Sequence, residues 1–140
     1  MQDRPEAREM VEAVAGFLQG EVVPALADPR LRFRARVAAN MLAVVARELG
    51  AGEAPLRQEW RRLVALLDES AAAPPCEGDE LRDSVRALTR SLCARIRAAE
   101  ADEGPWHDAV LAHAEQTVIE KLRIANPRYL ERMLGADREC

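Results

Sequence analysis

Proline punctuates this chain. Pro5, Pro29, Pro55, Pro105 and Pro127, five of its eight prolines, each stand where a run of helical periodicity begins. Proline is favoured at the first helical position because the N–H it lacks would have no intrahelical partner there. Asp28 and Asn126, directly before two of these prolines, are good N-caps. Between the prolines the apolar residues recur with helical spacing. A first helix is predicted over residues 5–19, with Ala7, Val11, Val14 and Leu18 on one face, continuing past a kink at Pro24 to residue 26. A second spans 29–49 and stops at Gly50; a third spans 55–67, with Leu56, Trp60, Leu63, Val64 and Leu67 inward. Residues 70–78, with Pro74-Pro75, read as a loop. A fourth helix over 79–99 carries the seam Leu81, Val85, Leu88, Leu92 and Ile96. A fifth covers 106–125, and a short sixth, 127–134, carries Tyr129 and Leu130 before a polar tail, residues 136–140. No stretch has the alternation of a strand. The expectation is an all-α fold, an antiparallel up-and-down bundle of five main helices plus a short C-terminal helix, in one domain over 1–140.

Composition agrees with that class. Apolar residues make up 49% of the chain and aromatics only 4%, so the core must be built from Leu, Val and Ala, which favours closely packed helices. The formal charge of −4 offers no net attraction to nucleic acid or to an anionic membrane. Cys76, Cys93 and Cys140 have no paired spacing and read as free thiols of a reducing compartment. The N-terminal residues lack a signal-peptide core, and no apolar run is long enough to span a bilayer. These features predict a cytoplasmic protein with neither a membrane nor a nucleic-acid partner.

The informative residues are polar ones on apolar faces. Lys121 is the one lysine beside nineteen arginines. At about 100° per residue it points the same way as Trp106, Val110, Ala114, Thr117, Val118 and Ile124, so its ammonium needs a partner, an exit to water or a ligand. In the second helix Phe33, Val37, Met41, Val44 and Val45 form the apolar face. Arg36, Asn40 and Arg47 lie beside that face, and Glu48 lies inside it. Glu48 and Lys121 are opposite charges in similar surroundings, and buried charges are tolerable mainly when paired. A Glu48–Lys121 contact between the second and fifth helices is therefore expected, with a structural role ahead of a catalytic one. The plain alternative for Arg36, Asn40 and Arg47 is snorkelling and backbone bonding at a helix rim; the sharper one is a ligand or partner surface. Arg30, Arg32, Arg34 and Arg36 crowd a helix start, where the dipole disfavours cations. Their spacing spreads them around the helix, which favours a solvated collar paired with Asp and Glu over an anion site.

Catalytic patterns are missing. His107 and His113 fall on different sides of the fifth helix and make no metal pair. Gly50-Ala51-Gly52 has no preceding strand and reads as a helix stop, not a phosphate loop. Ser84, Ser91 and Cys93 have no sequence-local base. The arginines of the fourth helix alternate with acids, the pattern of a wet face. No catalytic residue, cofactor or metal is expected.

Several blocks carry a resemblance. Asp3-Arg4-Pro5, Ala13-Val14-Ala15-Gly16-Phe17-Leu18, Glu21-Val22-Val23-Pro24-Ala25-Leu26 and Phe33-Arg34-Ala35-Arg36-Val37-Ala38-Ala39-Asn40 are similar to a small bacterial family of unknown function. So are Val45-Ala46-Arg47-Glu48-Leu49, Lys121-Leu122 and Asn126-Pro127-Arg128-Tyr129. The genes of that family typically lie beside aminoglycoside-phosphotransferase-like kinases and acyl-CoA dehydrogenases. The resemblance implies a small accessory subunit of such a kinase, phosphorylating hydroxyacyl-CoA thioesters as in the two-part kinase of levulinate breakdown. It supplies no catalytic residues. Arg36, Asn40, Arg47, Glu48, Lys121 and Tyr129 are the candidate ligand or partner positions. Two other readings stand beside it: a module binding an anionic small molecule between the second and fifth helices, and a self-associating bundle without a ligand.

Overall fold

The computed structural model describes residues 4–69 and 77–136, and every regular element among them is helical. The order is α1 (Ala7–Phe17), a π-helical turn (Leu18–Val22), α2 (Val23–Ala25), α3 (Pro29–Ala51), α4 (Ala54–Leu67), α5 (Asp79–Arg97), α6 (Pro105–Ala125) and α7 (Pro127–Ala136). The Pro74-Pro75 loop, Cys76, Cys140 and most of the polar tail lie outside the described residues. No described helix is long and apolar enough to cross a membrane. The chain divides into two compact units. The first runs to Gly52 and includes Ile124–Pro127; the second holds Glu53–Arg123 and the residues from Arg128 onward.

The first unit is a helical hairpin. Glu6 precedes α1, and its N–H donates to the Glu9 carboxylate at 2.8 Å. The helix expected to begin at Pro5 begins two residues later, at Ala7. The predicted kink at Pro24 is a π turn. Proline has no N–H for the carbonyl four residues back, and its ring crowds that carbonyl. Widening the preceding turn relieves both problems, and Val23 N–H donates to Leu18 O instead. Asp28 then caps α3, accepting from Arg30 N–H at 2.8 Å. The helix passes through Gly50 and stops at Gly52, whose φ of 59° suits glycine. The Arg8 guanidinium at the start of α1 lies against Gly50 near the end of α3, so these helices are antiparallel. Their contact is made of small residues: Ala15, Ala39 and Ala46 are buried, with Val23 beyond the π turn.

That arrangement corrects the reading of this helix. Phe33, Val37, Met41 and Val45, expected to face inward, are exposed, Phe33 and Met41 by 65% and 63%. The alanine face, about 170° away around α3, is the one that packs. Alanines let two backbones approach closely, whereas large side chains hold helix axes further apart.

The second unit has a conventional core of Trp60, Leu63, Leu67, Leu81, Val85, Leu88, Leu92, Ala101 and Val110, with Leu56, Val64, Leu66 and Trp106 against it. All the predicted inward residues of α4 and α5 are among these except Ile96, last in the expected seam, which is exposed; Leu66 of α4 packs there without having been predicted. Both indoles are satisfied: Trp60 Nε1 donates to Ser84 Oγ and Trp106 Nε1 to Leu66 O, each at 3.0 Å. Arg95 stacks on the Trp106 ring at 4.2 Å. Gly78 N–H donates to Glu53 Oε1 at 2.6 Å, so α4 and α5 begin side by side. Their paired positions advance together, Glu53 with Gly78 and Trp60 with Ser84, which is not the pattern of antiparallel neighbours. On the outer side of α5, Arg82 pairs with Asp79 and Arg86 with Asp83, both at 3.1 Å, the wet face its alternating charges predict.

Candidate functional site

The expected site residues fall into the two units: Arg36, Asn40, Arg47 and Glu48 belong to the first, Lys121 and Tyr129 to the second. Arg36 and Asn40 are exposed on α3. Arg47 Nε donates to Ile124 O at 2.5 Å, a cation on one of the open carbonyls at a helix C-terminus. Its role in this unit is that of a cap. Among the collar arginines, Arg32 bonds the carbonyls of Leu26 and Ala27 at 2.9 and 3.3 Å, closing the end of α2, where an acidic partner was expected. Glu48 is exposed within the outward apolar face of α3.

Lys121 also departs from expectation. Its side chain is 69% exposed, and its nearest carboxylate in this unit is Glu59, Nζ to Oε1 3.9 Å. The packed face of α6 is centred about 60° to one side of it. Trp106, Val110, His113, Thr117, Glu120 and Ile124, alternately four and three residues apart, are buried or half-buried along one stripe, with His107, Gln116, Ile119 and Leu122 half-buried beside it. Polar residues thus occupy the inward positions of the second half of this helix, and α4 answers them. Arg62 forms a two-pronged pair with Glu120, Nη1 to Oε1 2.8 Å and Nη2 to Oε2 2.7 Å. Gln116 Nε2 donates to Glu120 Oε1 at 2.8 Å. Burial pushes the Glu120 carboxyl up, but the hydrogen bonds from Arg62 and Gln116 outweigh it and hold the group below its ordinary range. His113 is held below its ordinary value, first by burial and then by the Arg62 charge. Arg62 Nε, His113 Nδ1 and Thr117 Oγ1 are buried without a hydrogen-bond partner. Thr117 was already on the expected face; the four-three spacing from Trp106 was the signal that would have added His113 and Glu120. Arg62 had no comparable mark among so many arginines. Tyr129, on α7, is partly exposed with Arg132 5.8 Å from its ring centre.

The other candidate site is the outside of the first unit. Its buried apolar residues are three alanines and a valine, while Met10, Val14, Phe17, Leu31, Phe33, Val37, Met41, Val45 and Leu49 are all exposed. Large apolar side chains grouped in this way mark interaction surfaces in soluble proteins.

A family model for a domain of unknown function, DUF6285, matches residues 24–129, about three-quarters of the chain. The chain belongs to this family. The match takes in all of α3 to α6, including the outward face of α3 and the Arg62–Glu120 cluster. Searches of curated proteins and of solved structures each returned no match.

Proposed function

We infer that this DUF6285 protein acts by binding another protein, as a non-catalytic accessory subunit of an aminoglycoside-phosphotransferase-like kinase that works on hydroxyacyl-CoA. The observation that carries the reading is the composition of the hairpin. It keeps alanines inside and leaves Met10, Val14, Phe17, Phe33 and Met41 exposed, the reverse of what a free-standing helix pair needs. The class of partner comes from the resemblance to a family encoded beside such kinases. A cytoplasmic setting fits the free thiol of Cys93. The unit 2 cluster supports a structural role for its charges, because Arg62 and Glu120 answer each other.

Co-expression with the neighbouring kinase tests this. The kinase is expected to co-purify with the chain and to be more active in its presence. Phe17→Asp, on the exposed strip of α1, is expected to weaken co-purification while leaving the helical circular dichroism unchanged. Equal kinase activity with and without the chain, together with no co-purification, would refute the reading.

A further inference from the structure

We propose that the outward face of α3 binds the same face of a second copy, antiparallel, about a two-fold axis through Met41. The proposal rests on the reading of the first unit as an interaction module and names the occupant of one of its surfaces. The sequence of α3 is symmetric about Met41 in the features that matter. Val37 and Val45 are each four residues from it, and Arg34 and Glu48 are each seven. Seven residues are two helical turns less about 20°, so Arg34, Met41 and Glu48 form a line along the helix, within about 40° of one another. All three are exposed, as are Val37 and Val45.

Two-fold symmetry gives that line a definite partner. In an antiparallel pair Met41 meets Met41, Val37 lies opposite Val45 of the second copy, and Arg34 lies opposite its Glu48. Both charges are thereby matched, twice per dimer. In a parallel pair Arg34 would face Arg34 and Glu48 would face Glu48, so the charge pattern selects the antiparallel arrangement. This also accounts for Glu48, a carboxylate within an apolar face: it sits where the second copy presents a guanidinium. Phe33, Val37, Met41, Val45 and Leu49 expose on the order of 450 Å², and the side-chain stems beside them take the coverable area to roughly 600 Å² per copy. That is the lower end of specific interfaces and fits a reversible dimer. A self-complementary patch is what a two-fold contact requires.

Sedimentation equilibrium on the full chain alone, without any kinase, tests the pairing separately from the accessory role. The wild type is expected to pass from monomer to dimer as its concentration rises. Met41→Arg, which brings two cations to the axis, is expected to weaken the dimer at least about 100-fold with helicity unchanged. Glu48→Arg is expected to weaken it as well, and Arg34→Glu with Glu48→Arg to restore it. A wild type that stays monomeric at hundreds of micromolar would overturn the proposal. So would a dimer indifferent to Met41→Arg, or a charge reversal that the second substitution does not rescue. Loss of kinase binding with an intact dimer would instead count against the accessory reading alone.

Discussion

A histidine whose Nδ1 is buried without a partner is cheapest as a neutral ring, and His113 in α6 is such a residue. Its folded pKa lies below the ordinary 6.5. As pH falls, the unfolded chain therefore takes up this proton first. The contribution is fully present above 6.5 and is lost as pH drops towards the folded value. Glu120 acts in the same direction at lower pH: its folded pKa is depressed, so its stabilisation is lost as pH falls through that value. Both tryptophans lie in the second unit, so their fluorescence reports on it. Urea unfolding followed this way is expected to show falling stability from pH 8 to 5, with a flatter profile for His113→Gln. At neutral pH, Glu120→Leu leaves the Arg62 guanidinium without its partner and is expected to cost about 2–3 kcal/mol. Arg62→Met combined with Glu120→Leu removes both charges and is expected to recover much of that loss. A double variant as unstable as the sum of the singles would show that the two side chains do not act as a pair. At this scale the sequence was only half legible. Lys121 stood out by its rarity, and helical geometry put it near the apolar side of α6, but the packed face is centred about 60° to one flank. The ambiguity is physical, because Ala114 and Val118 are apolar enough to face either way, and only packing against α4 chooses.

Helix positions were legible and helix faces less so. The prolines and Asp28 mark the starts because the backbone chemistry of a helix N-terminus is local. Which face of α3 packs depends on how closely another helix approaches, and no single-helix pattern contains that. Ala39 and Ala46 hold α1 and α3 together through small contacts, so Ala46→Leu is expected to force them apart at a cost of about 1–3 kcal/mol in chemical denaturation. Two substitutions should act the other way. Gly16 is inside α1 with open space where a Cβ would sit, so Gly16→Ala is expected to stabilise by about 0.5–1 kcal/mol. Ala99, just past the end of α5, has φ 65°, a left-handed conformation that disfavours a side chain. Ala99→Gly is expected to gain about 1 kcal/mol, read as a higher urea midpoint.

On the scale of the molecule, apolar burial is uneven. The second unit holds both tryptophans and the fully buried Leu63 and Leu81, whereas the largest buried residue of the first is Val23. Amide hydrogen exchange is expected to be slowest in α4, α5 and around Val110, and faster in α1 and α3. Raising the protein concentration is expected to slow exchange in α3 and leave α5 unchanged, because association protects what it covers. Uniform exchange along the chain, independent of concentration, would contradict both expectations. The exposure of Lys121 has a practical consequence. A chain with one lysine has one ε-amine, and this one stands in water beside Glu59. Amine-reactive dyes, biotin esters and crosslinkers all meet the same address among the side chains, on the second unit. A tag there reports on the second unit, and a lysine-specific protease has a single bond to cut.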